Sequence, residues 1–120
     1  KDTDIEIIES HHNRKIDSPS GTAQMLADTI NASLDNKLYC EYNRHDKHEK
    51  RDKNEIGMSS IRGGNIVGEH TVQFIGDFET FEIKHTSYSR NVFAEGSLKA
   101  AEFIVKQKPG FYSMEDMCEI

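Results

Sequence analysis

The stretch Glu6-Ile-Ile-Glu-Ser-His-His-Asn-Arg-Lys-Ile-Asp-Ser-Pro-Ser-Gly-Thr-Ala23 decides how the rest of the chain is read. It opens inside a run, Asp4 to Ser10, in which Ile5, Ile7 and Ile8 give the β-branched composition of a short buried strand. That strand delivers His11 and His12 at its end. Asp17-Ser18-Pro19-Ser20-Gly21 is a turn signal. Beyond it Ala23, Leu26, Ala27, Ile30 and Leu34 recur at three- and four-residue spacing, which predicts a helix from Gly21 to Leu34 with one apolar face. Strand, turn and helix in this order set up a packed α+β arrangement.

Working outward, Glu41 to Glu55 holds a single apolar-type residue, Tyr42, among alternating acids and bases, and reads as an exposed, mobile loop. Three strands are expected after it: Met58 to Arg62, Ile66 to Ile75 and Phe78 to Tyr88. Gly63-Gly64-Asn65 and Gly76-Asp77 would join them as hairpin turns into an antiparallel meander. Phe81, Ile83 and His85 alternate with Glu82 and Lys84, as in a half-buried strand. Ser89 or Asn91 can cap a closing helix whose buried stripe would be Ala94, Leu98, Ala101 and Val105, ended by Pro109-Gly110. The expected fold is α+β: a mixed, mostly antiparallel four-stranded sheet packed against two helices, with a long charged loop.

The chain has 120 residues, 35% of them hydrophobic, with six Phe, four Tyr and no Trp, enough for one domain with its own core. A net charge of −6 argues against general affinity for nucleic acid or anionic lipid, so an anionic ligand needs a local cluster of donors. Cys40 and Cys118 show neither metal nor redox spacing, which suits a reducing, cytoplasmic setting. No apolar run is long enough to span a membrane, and no targeting segment is apparent. Because the chain opens at Lys1 and enters an apolar run within four residues, an upstream segment is expected.

The opening stretch also concentrates chemistry. A helix start presents unpaired N–H groups and the positive end of the helix dipole, so carboxylate or phosphate binds readily there. Gly21 allows close approach, Ser20 and Thr22 add hydroxyls, and Lys15 with a histidine supplies charge and protons near neutral pH. A plainer reading leaves Ser20 as a cap, Pro19 and Gly21 as turn formers, and Lys15 as a solvated cation. Strand alternation sends His11 and His12 to opposite faces, so at most one faces a given pocket while the strand continues.

These residues resemble a known family. Glu9 to Ala23 matches every fixed position of the Glu-x-His-His-x-x-Lys-x-Asp-x-Pro-Ser-Gly-Thr-Ala signature of dihydrodipicolinate reductase, also called 4-hydroxy-tetrahydrodipicolinate reductase. Ile61 to Phe74, IRGGNIVGEHTVQF, is similar to the family's Arg-x-Gly-x-Ile-Val-Gly-Glu-His strand, and Tyr88 to Ile104, YSRNVFAEGSLKAAEFI, to its closing helix. The resemblance covers nearly the whole chain except Leu38 to Glu55 and is to the second domain only. It implies a substrate-binding, catalytic and tetramerisation domain over residues 1–120 of an NADH- or NADPH-dependent enzyme. That enzyme reduces a cyclic unsaturated dicarboxylate in diaminopimelate and lysine biosynthesis. It further implies His11 as the catalytic acid-base residue, Lys15 as proton donor, and His12, Ser20, Gly21 and Thr22 as substrate contacts. The nucleotide-binding domain lies outside the chain, since no phosphate-binding glycine fingerprint is present. Residues 108–120 are expected to be a tail that packs on it, and the isolated chain is expected to be inactive.

Weaker expectations attach to other residues. Arg90 is a candidate to face the cofactor, and Glu69 and His70 lie in a strand that in the family joins four subunits, where interface or structural roles are expected. Arg62 is given no essential role. His45 and His48 have helical spacing but sit in the charged loop, and no metal is expected. The competing hypothesis is a non-catalytic oligomerisation or small-anion-binding module of the same architecture, which unchanged turnover on substitution of His11 or Lys15 would favour.

Overall fold

In the computed structural model, which describes residues 3–118, Ile5 and Ile7 belong to an eight-residue strand, β1 (Asp4–His11). Both side chains are fully buried on one face of a sheet. The strands that follow are β2 (Tyr39–Glu41), β3 (Glu55–Arg62), β4 (Gly68–Ile75) and β5 (Thr80–Ser87), arranged in the order β2-β3-β1-β4-β5. β1 runs parallel to β3 and antiparallel to β4; β2 is parallel to β3, and β5 antiparallel to β4. Helix α1 (Gly21–Ser33) lies on one face of this sheet, with Ala23 and Ala27 packed among Ile5, Ile7, Ile56, Met58 and Val72, and Leu26 and Ile30 flanking them. Small alanines on the helix let it sit close to a surface of branched strand residues.

The α+β class matches expectation, but the sheet has five strands and its ladders divide evenly between parallel and antiparallel. β3 and β4 are not a hairpin. β1 lies between them, and the Gly63 to Val67 connection passes over the end of β1, tied down by Gly63 N–H to His11 O (2.9 Å) and Asn13 N–H to Gly64 O (3.2 Å). A glycine-rich spacer gives a turn, but local pattern cannot distinguish a tight hairpin from a bridge across a third strand. The turn from β4 to β5 does form as expected, closed by Gly76 N–H to Glu79 O. β5 keeps its alternation, yet as an edge strand it leaves Phe81 and Ile83 exposed rather than half-buried.

The charged stretch is not simply solvated. β2 falls at its start, and Glu55, at the start of β3, is buried and paired with Arg44 and Arg51. Arg51 also pairs with Glu6 on β1 and donates to the carbonyls of Ile5 (2.7 Å) and Glu55 (2.9 Å). Lys47 closes on Glu41. The Glu6 carboxylate lies across the backbone of its β3 neighbour Gly57, where an added Cβ would fall 2.0–2.3 Å from the carboxyl atoms. A side chain there would displace the Glu6 carboxylate from its present position.

The chain divides into two compact units, Lys1–Tyr88 and Ser89–Ile120. The second consists of α2 (Asn91–Ile104) and α3 (Met114–Cys118). Ser89 Oγ accepts from Asn91 N–H at 3.2 Å, but Arg90 occupies the cap position and makes no side-chain cap bond. No α2 residue is buried: Leu98 is 67% exposed and Val105, just past its end, 78%, so the expected buried stripe is uncovered. Phe103 stacks edge-on against Tyr112, 5.9 Å between centroids. Residues 119 and 120 of the expected tail lie outside the described residues. Among the described residues no helix is long and apolar enough to cross a membrane.

Candidate functional site

Because alternate residues of a strand share a face, Glu9 and His11 both project to the α1 side at the C-terminal end of β1. The register adds their neighbours. Arg62 of β3 stands beside His11, and His70 of β4 beside Glu9. The β1–α1 connection brings Lys15, Asp17 and Ser20 back to the same place; its Ser18–Pro19 peptide is cis. Three strands and one helix start thus converge on a single carboxylate.

That carboxylate, Glu9, is 0% exposed. Its Oε2 lies 2.5 Å from His11 Nδ1 and accepts from Arg62 Nη1 at 2.8 Å, and its Oε1 accepts from Arg62 Nη2 at 2.7 Å and Ser20 N–H at 3.1 Å. Burial by itself pushes the acid up, but hydrogen bonds from Arg62, His11 and Ser60, with the Arg62 charge, overcome it and hold the group at about 2. Arg62 also donates to Asp17 O at 2.7 Å, anchoring the loop. The His11 ring meets His70 edge-on at 5.2 Å between centroids. Burial foremost, then the neighbouring His11, shifts His70 below its usual range and keeps it neutral near pH 7. His70 Nε2 lies 2.8 Å from Ser20 Oγ, which accepts the Ala23 N–H at 3.2 Å as the helix cap.

The expected site residues separate accordingly. His11 is part-buried at the centre. Lys15 pairs with Asp17 at 2.7 Å, its side chain mostly covered, and its charge is among those felt by His70. Ser20 is buried, its hydroxyl engaged with Ala23 and His70. Gly21 and Thr22 are exposed on the first turn of α1, and an added Cβ at Gly21 would meet open space. His12 follows the end of β1 and is half-buried. Arg90 belongs to the second unit. Glu9, Arg62 and His70, none of them expected to act in the site, join His11 and Ser20 in one contact network. The two-residue spacing of Glu9 and His11 was the available signal. No cluster of metal-ligating residues occurs among the described residues. The passage from β1 to α1 holds Pro19 and Ser20 instead of a glycine fingerprint and does not fit a dinucleotide.

An ionised, fully shielded carboxylate beneath a histidine, a covered lysine and an open helix start make an arrangement that can hold an anion and move a proton. Residues 1–118 match the family model "Dihydrodipicolinate reductase, C-terminus". The 4-hydroxy-tetrahydrodipicolinate reductase of Brachyspira hyodysenteriae is 57% identical over 114 residues, 95% of this chain and 49% of that protein. That of Clostridium tetani is 57% identical over 117 residues, 98% of this chain and 46% of that protein. A solved structure, dipicolinate-bound dihydrodipicolinate reductase from Paenisporosarcina sp. TG-14, superposes with a TM-score of 0.70 at 28% identity, covering 94% of this chain and 44% of that one. The chain spans about half the length of these relatives. By its sequence signature, its fold and these matches, the chain belongs to the dihydrodipicolinate reductase family, of which it represents the C-terminal part.

Proposed function

We propose that this chain is the substrate-binding, proton-handling domain of a 4-hydroxy-tetrahydrodipicolinate reductase, working with a nicotinamide nucleotide held by a domain outside it. The observation that carries the reading is the convergence of His11, with Nδ1 on buried Glu9, and Lys15 beside the open start of α1. The nucleotide, NADH or NADPH, supplies hydride. This chain's residues do the remainder. The first-turn N–H groups of α1, with Thr22 and the unobstructed space at Gly21, receive one carboxylate of the substrate. Lys15, already held against Asp17, offsets the negative charge, and His12, just past the end of β1, is a further substrate contact in the same proposal. Hydride arriving at a conjugated carbon leaves an electron-rich centre that must be protonated, and His11 and Lys15 are the donors within this site. The relative bound to dipicolinate supports a ring dicarboxylate as the ligand. Assembly as a homotetramer through the sheet is part of the same proposal.

The test is calorimetric titration with pyridine-2,6-dicarboxylate, together with turnover of the complete enzyme. Binding is expected to weaken at least about tenfold in Lys15→Met, and kcat to fall about a hundredfold or more in His11→Gln. Full turnover in both variants would remove the catalytic role and leave the oligomerisation or anion-binding module. Sedimentation of the complete protein reads the assembly, and a monomer at micromolar concentration would contradict the tetramer.

A further inference from the structure

We propose that Glu9, clamped by Arg62, is a positioning residue that fixes His11 as its Nδ1–H tautomer, leaving Nε2 above Gly68 as the atom that handles the proton. The inference rests on the reading of His11 as the acid-base group.

Three features of the geometry carry it. First, every contact of the Glu9 side chain that involves a group of fixed polarity comes from a donor: two guanidinium nitrogens of Arg62 and the Ser20 amide. A carboxylate so surrounded is an acceptor only, so the 2.5 Å contact to His11 Nδ1 requires the hydrogen to lie on that nitrogen. Neutral His11 therefore has its lone pair on Nε2. Second, the ring cannot swivel freely, because it is pinned at Nδ1 and flanked edge-on by His70. Third, Nε2 looks over a position with no side chain. A Cβ on Gly68 would stand 3.3 Å from Nε2 and 3.6 Å from the adjacent ring carbon, in the space a reacting atom needs. Among the described residues, Nε2 has no hydrogen-bond partner.

The alternative is that Glu9 and Arg62 are only a buried ion pair. Such a pair is a poor source of stability relative to apolar side chains of similar volume, so stability alone does not account for it. Aimed at a ring nitrogen, it has another use: it fixes which nitrogen is free. In the proton step, imidazolium releases the Nε2 hydrogen to the substrate and keeps the other hydrogen on Nδ1, hydrogen-bonded to Glu9; a solvent proton then returns to Nε2. Glu9 itself never takes it.

The experiment is nitrogen-15 NMR of the histidine rings and steady-state kinetics on the complete enzyme, for Glu9→Gln and for Glu9→Gln combined with Arg62→Met. A glutamine can present its NH2 to Nδ1 and hold the opposite tautomer. Neutral His11 should show the Nδ1–H pattern in the parent and shift toward Nε2–H in Glu9→Gln. There kcat should drop about a hundredfold, with KM changed less than about threefold. The double variant removes the stranded guanidinium charge; it should regain melting temperature without regaining kcat. An unchanged tautomer in Glu9→Gln, or recovery of kcat in the double variant, overturns the proposal. The ring signal is independent of turnover: if His11→Gln remains active, the acid-base reading fails while the tautomer result still decides what Glu9 does.

Discussion

Glu9 sits where a charge is least expected, fully buried on a strand between isoleucines and histidine, and hydrogen bonds from Arg62, the Ser20 amide, His11 and Ser60 make it tenable. Its acid strength has a consequence for stability. Folding takes the carboxyl from 4.5 to about 2, so between these values the folded state binds fewer protons than the unfolded chain. The contribution is therefore complete above about pH 4.5, and it is lost as pH falls toward 2; it amounts to about 3 kcal/mol. Denaturant midpoints between about pH 2 and 6 should fall steeply with acid in the parent and less steeply in Glu9→Gln. Parallel curves would show that Glu9 is not the group responsible. The residue was legible in part. The alternation that sends His12 away from His11 also brings Glu9 to the same face as His11, so the pair could be read from β1 alone. Arg62 and His70 could not, because their approach depends on which strands flank β1. Gly57 was equally opaque, since the Glu6 carboxylate that a side chain there would displace arrives from another strand.

At the scale of elements, α1 was the most legible, and its observed span, Gly21–Ser33, ends one residue short of the reading. Its apolar periodicity and serine cap are local signals, and both survive in the fold. The cap does double duty: Ser20 Oγ serves the Ala23 amide and His70 Nε2. Ser20→Ala should therefore cost more than an ordinary cap, about 2 kcal/mol, because a ring nitrogen in a part-buried site loses its partner as well. Urea unfolding measures it, and a loss under about 0.5 kcal/mol would separate the cap from the histidine. The charged stretch was the least legible element. Composition marked Glu41 to Glu55 as solvated, yet Arg44, Arg51 and Glu55 fasten it to β1 and β3. Ion pairs between distant segments leave no periodic trace in the sequence, unlike the isoleucines of β1.

On the scale of the molecule, the two units differ in what they bury. The central strands of the first enclose a core of Ile5, Ile7, Ile56, Met58 and Val72 with two helix alanines, while α2 contains no buried residue. Amide protection follows buried contact. Hydrogen exchange should find β1 amides protected at least about a hundredfold more than those of α2, and equal protection would mean that partners outside this chain cover the helix. The sheet order was where local reading failed most broadly: strand positions after the loop came out close to expectation, but the adjacency of β3 and β4 did not. Pairing is a long-range property, and a glycine turn permits several solutions.

The central place of β1 also bears on the order in which the protein is made. Its ladder partners are Ile56 to Arg62 on one side and Glu69 to Ile75 on the other, so each hydrogen-bonded neighbour is about 50 residues or more downstream. During synthesis β1 emerges before either of its neighbours and has no edge to join until residues about 50 positions behind it leave the ribosome. The histidine it carries is translated well before the arginine and second histidine that complete its surroundings, which come only with those later strands. The cluster around Glu9 is therefore assembled by late pairing, and nascent chains stopped before β3 would contain the signature sequence without the neighbours that surround it in the fold.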